Sequence, residues 1–241
     1  MRFSVEPSPS GGYFVRVAGV DAPVSRHDTE EEAQAAAATY RRGVEENRVG
    51  DLVPLRDGGE VLVRAVRPED KPLFAQGWEH FGLESRYRRF ISAKRRLSTS
   101  ELSFFTELDH VDHEALGALD PDSGEGLGVA RYVRDPDRPH AAEAAVSVID
   151  PMQGRGLGGV LLRRLCHRAA QNGIRLFTAR LLTTNHSMLR LFEKLGEVRV
   201  TGRDGPEIEI DVEFRVADAP TLEMALRSAA TGHIGQRPPE P

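Results

Sequence analysis

The chain has 241 residues, 39% of them hydrophobic and 29% charged, with 32 lysines and arginines against 37 acids and a net charge of −5. That is enough chain to bury one good core with room for a small extra module, in the proportions of an ordinary globular protein. No apolar run approaches the ~18 residues of a membrane span, the N-terminal MRFSVEPSPSGG lacks the apolar centre of a secretion signal, and the acidic balance disfavours general nucleic-acid binding while suiting a basic partner.

Residues 1–46 read as a small β-β-α unit. Phe3–Val5 and Tyr13–Val17 are short β-prone runs around a Pro/Ser/Gly turn, and Thr29 with Glu32 three residues on is a capping box opening an alanine-rich helix to Tyr40. Such a unit has little core of its own and is expected to pack on the main domain or on a partner. Residues 47–60 are linker-like, with a Gly-Gly turn. The main domain, 61–216, opens with a strand at Val61–Val66, then helices at 68–80 and 84–96. The second helix carries Arg86, Arg88, Arg89, Lys94, Arg95 and Arg96, a wet face more than a nucleic-acid site. Ser98 to Ser100 cap a short helix through Phe104 and Phe105. Strands at 114–119 and 127–134 flank the turn Pro121–Gly124, and a third runs from Ala142 to Ile149. His110 and His113 have H-x-x-H spacing, but with no cysteines and no third ligand the reading is a polar loop, and no metal is expected.

Val146–Ile149 is apolar enough for a buried strand, and Asp150-Pro151 breaks it. Gln153-Gly154-Arg155-Gly156-Leu157-Gly158-Gly159 follows, then a helical stretch (Val160, Leu161, Leu162, Leu165, Ala169) stopping at Gly173. Strand, glycine turn and helix make an anion seat: glycines admit a ligand close to the backbone, and the first helical amides lack partners and carry the positive dipole end. Gly154, Gly156 and Gly159 also fit the dinucleotide fingerprint, but several strands precede this turn and the following strand, 176–182, holds Arg180 and no acid. No G-K-[ST] follows, which excludes a nucleoside-triphosphate loop. Cys166, the single cysteine, sits among helical core positions as a packing residue; it makes no internal disulfide and suits a reducing cytoplasm. Beyond lie a helix at 186–195 and a hairpin at 197–201 and 207–215, whose second strand alternates Glu207, Glu209, Asp211 and Glu213 with apolar residues. That puts four acids on one face, either a landing surface for a basic substrate or a solvated sheet face. The tail, 217–241, holds one short helix at 221–229 before a disordered RPPEP.

Gln153, Gly156 and Gly158 resemble the acyl-CoA signature of the GNAT superfamily of N-acetyltransferases, and Asn185 to Gly196 resembles its second signature. The resemblance implies, over about residues 60–216, an α/β (α+β) GNAT fold: a mixed, mostly antiparallel twisted sheet flanked by helices. It implies acetyl-CoA as co-substrate, its pyrophosphate on the amides of Gly154, Arg155, Gly156, Leu157 and Gly158 beside Gln153. Its pantetheine arm would run along Val148, Ile149 and Asp150, with Asn185 on the other side. A narrower resemblance, through Glu101-Leu102, Phe105-Thr106, Gly128–Val133, Ala142-Glu143 and Gln153–Gly158, is to the acetyltransferase domain of bacterial Pat-type protein lysine acetyltransferases. It implies Glu143 as general base and a protein lysine as acceptor. A carboxylate near pKa ~4.3 is about six units too weak to deprotonate a lysine near ~10.4 in bulk water, so burial or a depressed substrate pKa must help. Where many family members have a tyrosine to protonate the leaving thiolate, this chain has Phe192. His186 or Ser187 is an alternative donor, though both are more simply helix-start residues. Small-amine acetylation and a non-catalytic acyl-CoA sensor remain the alternatives.

Overall fold

The computed structural model describes residues 2–45, 50–79 and 96–215. Strands β1 (Phe3–Pro7), β2 (Tyr13–Val17) and β3 (Ser25–His27) pair antiparallel in that order, and α1 (Glu30–Glu45) packs across them. The capping box forms: Thr29 Oγ1 accepts from the Glu32 amide and Glu32 accepts from the Thr29 amide, both at 3.2 Å. The expected β-β-α unit therefore gains a strand. Three residues are too few to show a period of two, and β3 is defined instead by its register on β2 and by Ser25 turning inward. Val15, Val17, Val24, Ala33, Ala37 and Tyr40 form one cluster with Ala75, Trp78, Leu97, Leu102 and Phe105, so the unit completes its core on the main domain.

The main sheet is built from β4 (Asp51–Pro54), β5 (Glu60–Ala65), β6 (His113–Leu119), β7 (Gly126–Arg134), β8 (Ala141–Val148), β9 (Leu176–Leu182), β10 (Gly196–Asp204) and β11 (Glu207–Phe214), in the order β10-β11-β9-β8-β7-β6-β5-β4. The reading of 47–60 as linker is corrected here: Asp51–Pro54 pairs antiparallel with β5 as the edge strand, and the Gly-Gly turn closes a hairpin. A proline-ended edge strand has no apolar alternation to announce it. Every described pairing in this sheet is antiparallel except β8 with β9, which are joined by a crossover helix over residues 157–171.

Among the described residues, four helices flank the sheet: α2 (Lys71–Glu79) after a 3-10 turn at Pro68–Asp70, α3 (Thr99–Thr106), α4 (Leu157–Gln171) and α5 (His186–Glu193). Ser98 caps α3 and exchanges a capping box with Glu101. Leu157, Leu161, Leu162, Leu165 and Ala169 form the buried stripe of α4, against Ala130, Tyr132, Ala144 and Val146 of the sheet. Each leucine so buried contributes roughly 1.5–3 kcal/mol relative to exposure. The opposite face of the sheet carries α2 and α3, with the Arg131 guanidinium 4.7 Å from the Phe105 ring centroid. The arginine-rich helix expected at 84–96, apart from exposed Arg96, and the tail helix at 221–229 lie outside the described residues.

Candidate active site

The site begins where the sheet opens. The β8–β9 ladder has three rungs, Ala141↔Leu176, Ala142↔Phe177 and Glu143↔Thr178, and beyond Glu143 the strands part. Just past β8, the Ile149 amide donates to Leu127 O at 3.1 Å, which fixes the alternation. Odd residues bond β7, while Val146 and Val148 turn their N–H and C=O groups toward the gap left by β9. The Val148 carbonyl accepts from Gln153 Nε2 at 3.2 Å, and the same nitrogen donates to Asp150 Oδ1 at 2.9 Å. Gln153 thus pins the turn to the end of the strand.

A 3-10 turn at Asp150–Met152 leads into the glycines. Gly154 and Gly156 hold φ of 77° and 93°, and Gly156 is the N-cap of α4. Both angles lie in the left-handed region that favours glycine. Among the described residues, the amides of Gly154 to Gly158 make no main-chain hydrogen bond; the first amides to find one are Gly159 and Val160, both on Gly156 O. Those free N–H groups and the α4 dipole make an anion seat. A Cβ on Gly158 would come within 3.2 Å of Leu191 Cδ1, so the missing side chain also lets α5 approach α4.

Strand β8, the glycine turn and α5 enclose a cleft of about 450 Å³. Arg56, Arg163, Arg180, Arg190 and Lys194 line it against one acid, Glu143. That balance suits a polyanionic ligand. Val148, Gln153, Gly154, Gly156, Leu157, Gly158 and Asn185 line the same cleft. Asn185 also caps α5, its Oδ1 accepting from the Met188 amide at 3.2 Å. Ile149 is buried in the core beside the cleft, and exposed Asp150 starts the turn. The Arg155 side chain turns away: its Nε pairs with Asp57 and its Nη1 reaches Met152 Sδ at 2.8 Å. Phe192, 1% exposed, is a core ring with no proton to give.

Glu143 is exposed at the closed end of the cleft, on the sheet face away from α4. In register beside it run Thr178 and Arg180 on β9, then Glu209 and Asp211 on β11. Arg180 donates to Glu209 at 2.5 Å, and Glu209 first, with Glu207 and Glu143 further away, holds the guanidinium above its ordinary pKa. Arg138 lies 3.6 Å from Asp211. The acidic face of β11 is thus continuous with Glu143 and partly neutralised.

The two histidines of the H-x-x-H pair take separate tasks. His110 Nδ1 lies 2.8 Å from buried Glu114, and His113 packs on Phe104 at 4.8 Å. Burial first, then the neighbouring Arg131 charge, pushes the His113 pKa down. Among the described residues no three His, Cys, Asp or Glu side chains are grouped to hold a metal. Cys166 is buried, its thiol pushed up to about 12. Arg56, Arg163, Arg190 and Lys194 are cleft residues that sequence reasoning missed, and Arg56 is the most distant from the glycine turn in sequence. The Asp-Gly-Gly that follows it signals a turn, but nothing local signals that the turn reaches a helix mouth a hundred residues later.

A mixed sheet splayed at a parallel pair, with a glycine turn and helix mouth at the splay, makes a seat for an anionic ligand. A family model described as the Acetyltransferase (GNAT) family matches residues 80–196. A second, described as an uncharacterized protein conserved in bacteria (DUF2188), matches residues 3–63. The chain is 34% identical over 180 residues to the acetyltransferase Pat of Mycolicibacterium smegmatis, covering 73% of this chain and 54% of that protein. It therefore spans about half the length of that relative. It is 31% identical over 165 residues to an acetyltransferase of Pseudomonas aeruginosa, covering 68% of this chain and 87% of that one. The solved GNAT domain of S. lividans PAT superposes with a TM-score of 0.64 at 31% identity, covering 68% of this chain and 96% of that domain. The chain belongs to the GNAT acetyltransferase family.

Proposed function

We propose that this protein transfers an acetyl group from acetyl-CoA to a lysine side chain of a protein, with Glu143 as general base. The observation that carries the reading is the opening of β8 from β9 immediately after Glu143, which sets a carboxylate at one end of a slot and free helix-mouth amides at the other. The residues present fit the co-substrate: unpaired amides, glycines that keep the backbone bare, and a cationic lining.

In this reading the amides of Gly154–Gly158 hold the diphosphate. The strand edge at Val146 and Val148 offers main-chain groups to the amide-bearing pantetheine arm, with Val148 N–H toward the thioester carbonyl, and Asn185 closes the opposite wall. Bound acetyl-CoA supplies a thioester whose acyl carbon is open to an amine. Glu143 attracts and orients the incoming ammonium and takes its proton, directly or through water. The six-unit gap between the two pKa values amounts to about 8 kcal/mol in bulk water. Desolvation of the ammonium on docking narrows it. With Phe192 at the family's tyrosine position, the thiolate leaves as such or is protonated by water, since thiols ionise near ~8.5.

A protein acceptor is supported by the acidic face of β11, a partly exposed surface in register with Glu143. Residues from 51 onward, including the β4–β5 hairpin, would form the catalytic domain, with residues 1–46 as an attached module. The cytoplasm is the proposed location: the single cysteine is free and buried, and among the described residues no helix is long and apolar enough to cross a membrane. The test is CoA release from acetyl-CoA with a lysine-rich basic protein against a panel of polyamines and amino acids. Release with the protein supports the reading. Release with free amines alone replaces it with small-amine acetylation, and binding of acetyl-CoA without release to any acceptor replaces it with a sensor.

A further inference from the structure

We propose that Arg56 is a ligand for the diphosphate of acetyl-CoA, delivered to the helix mouth by the β4–β5 hairpin, and that the Asp57–Arg155 ion pair is the clasp that keeps it there. This rests on the reading of the same cleft as the acetyl-CoA site.

The hairpin turn is tightly made. The Leu55 amide donates to Gly59 O at 2.7 Å and the Gly58 amide to Leu55 O at 3.2 Å, with Gly58 at φ 83°. Both neighbours of Arg56 are anchored. Leu55 is buried in the main core, and the Asp57 carboxylate takes the Gly59 amide at 3.1 Å and the Arg155 guanidinium. The contact with Arg155, first among its causes, holds the Asp57 carboxyl below its ordinary value. Between these anchors the Arg56 stem lies over the glycine turn. A Cβ placed on Gly156 would meet Arg56 Cγ and Cδ at 3.3 Å and Nε at 3.4 Å.

The two arginines at this mouth have exchanged the roles their sequence positions suggest. Arg155 lies inside the glycine turn but gives its charge to Asp57. Arg56 lies far away in sequence yet lines the cleft, and among the described residues it has no carboxylate partner and no hydrogen bond. A guanidinium presents donors in a planar fork that matches phosphate oxygens two at a time. Here the fork stands beside five amides that have no main-chain partner. Arg163 sits further along α4, where a Cβ on Gly159 would meet its Nη1 at 3.4 Å.

The experiment is calorimetric titration of acetyl-CoA and of its 3′-dephospho analogue into the full chain and into Arg56→Ala and Arg56→Lys. Thermal unfolding serves as the check that these exposed substitutions leave the fold in place. Arg56→Ala is expected to weaken both ligands by the same factor, about tenfold or more, as for loss of a charge-assisted hydrogen bond. Arg56→Lys, which keeps the charge and loses the fork, is expected to fall between. Equal affinity of Arg56→Ala and wild type for acetyl-CoA overturns the proposal while leaving the cleft reading intact. A loss confined to acetyl-CoA, with the dephospho analogue unaffected, overturns the diphosphate assignment in favour of the 3′-phosphate. Wild-type protein that binds neither ligand overturns the proposal and the cleft reading together.

Discussion

Glu143 lies opposite Thr178 on the last rung of the parallel ladder between β8 and β9. One residue earlier it would be shut between two paired strands; a few residues later it would stand on the strand edge left unpaired by β9. Its place at the apex lets one strand present a carboxylate on one sheet face and unpaired main-chain groups at its edge.

Glu143→Gln keeps the shape and removes the carboxylate proposed as base. The kcat/KM for a lysine acceptor at pH 7 is expected to fall about 10²–10⁴-fold, the usual worth of a positioned proton acceptor. Affinity for acetyl-CoA is expected to stay unchanged, because no amide of the seat is touched. The deficit should shrink as pH rises toward ~10, where free lysine loses its own proton. A variant with wild-type kcat/KM across that range removes Glu143 from the mechanism.

The elements with a local cause were legible in the chain. The Thr29 and Ser98 capping boxes form as written, and the glycine turn between β8 and α4 holds the left-handed angles its glycines allow. The elements set by distant partners were not. Asp51–Pro54 has neither length nor alternation and becomes a strand because β5 offers it an edge; Ser25–His27 does the same on β2. Arg56 enters the cleft through the Asp57–Arg155 contact, and no local pattern reports a pair separated by 98 residues.

Gly156→Glu addresses the seat. The residue sits at φ 93°, where an L side chain costs about 1–2 kcal/mol, and its Cβ would press on Arg56. The added carboxylate would also face the diphosphate. Acetyl-CoA binding is expected to drop beyond calorimetric detection while circular dichroism stays that of the folded protein. Retained binding would remove the helix mouth as the phosphate site.

Arg64 and Asp70 join β5 to the turn that starts α2. Two bonds of 2.8 and 2.7 Å connect side chains only 5% and 7% exposed, and Asp70 also takes the Arg67 amide at 2.9 Å. Removing one member of a buried pair strands the other charge, so Asp70→Ala is expected to cost about 3–5 kcal/mol, or roughly 6–20 °C in Tm. Replacing both, as Arg64→Met with Asp70→Ala, is expected to cost less than the sum of the single losses. Additive costs in a double-mutant cycle would show the pair is uncoupled.

His113 sets a pH dependence of stability. Its Nε2 is buried without a hydrogen-bond partner among the described residues. Burial first, then Arg131, with a smaller share from His110, lowers its pKa; Asp109 and Glu114 oppose the shift. The unfolded chain therefore takes up this proton more readily, near ~6.5, than the folded one does. The stability tied to a neutral His113 is complete above ~6.5 and declines as pH falls below it, with a slope of at most about 1.4 kcal/mol per pH unit. The depressed carboxylates Asp109, Asp120 and Asp135 act in a separate window, losing their contribution only as pH falls below ~4. Urea melts of wild type and His113→Gln at pH 7.5, 6.5 and 5.5 isolate the effect. The gap between the two proteins is expected to move in favour of the variant as pH drops, whereas a constant gap would show that His113 titrates alike in both states.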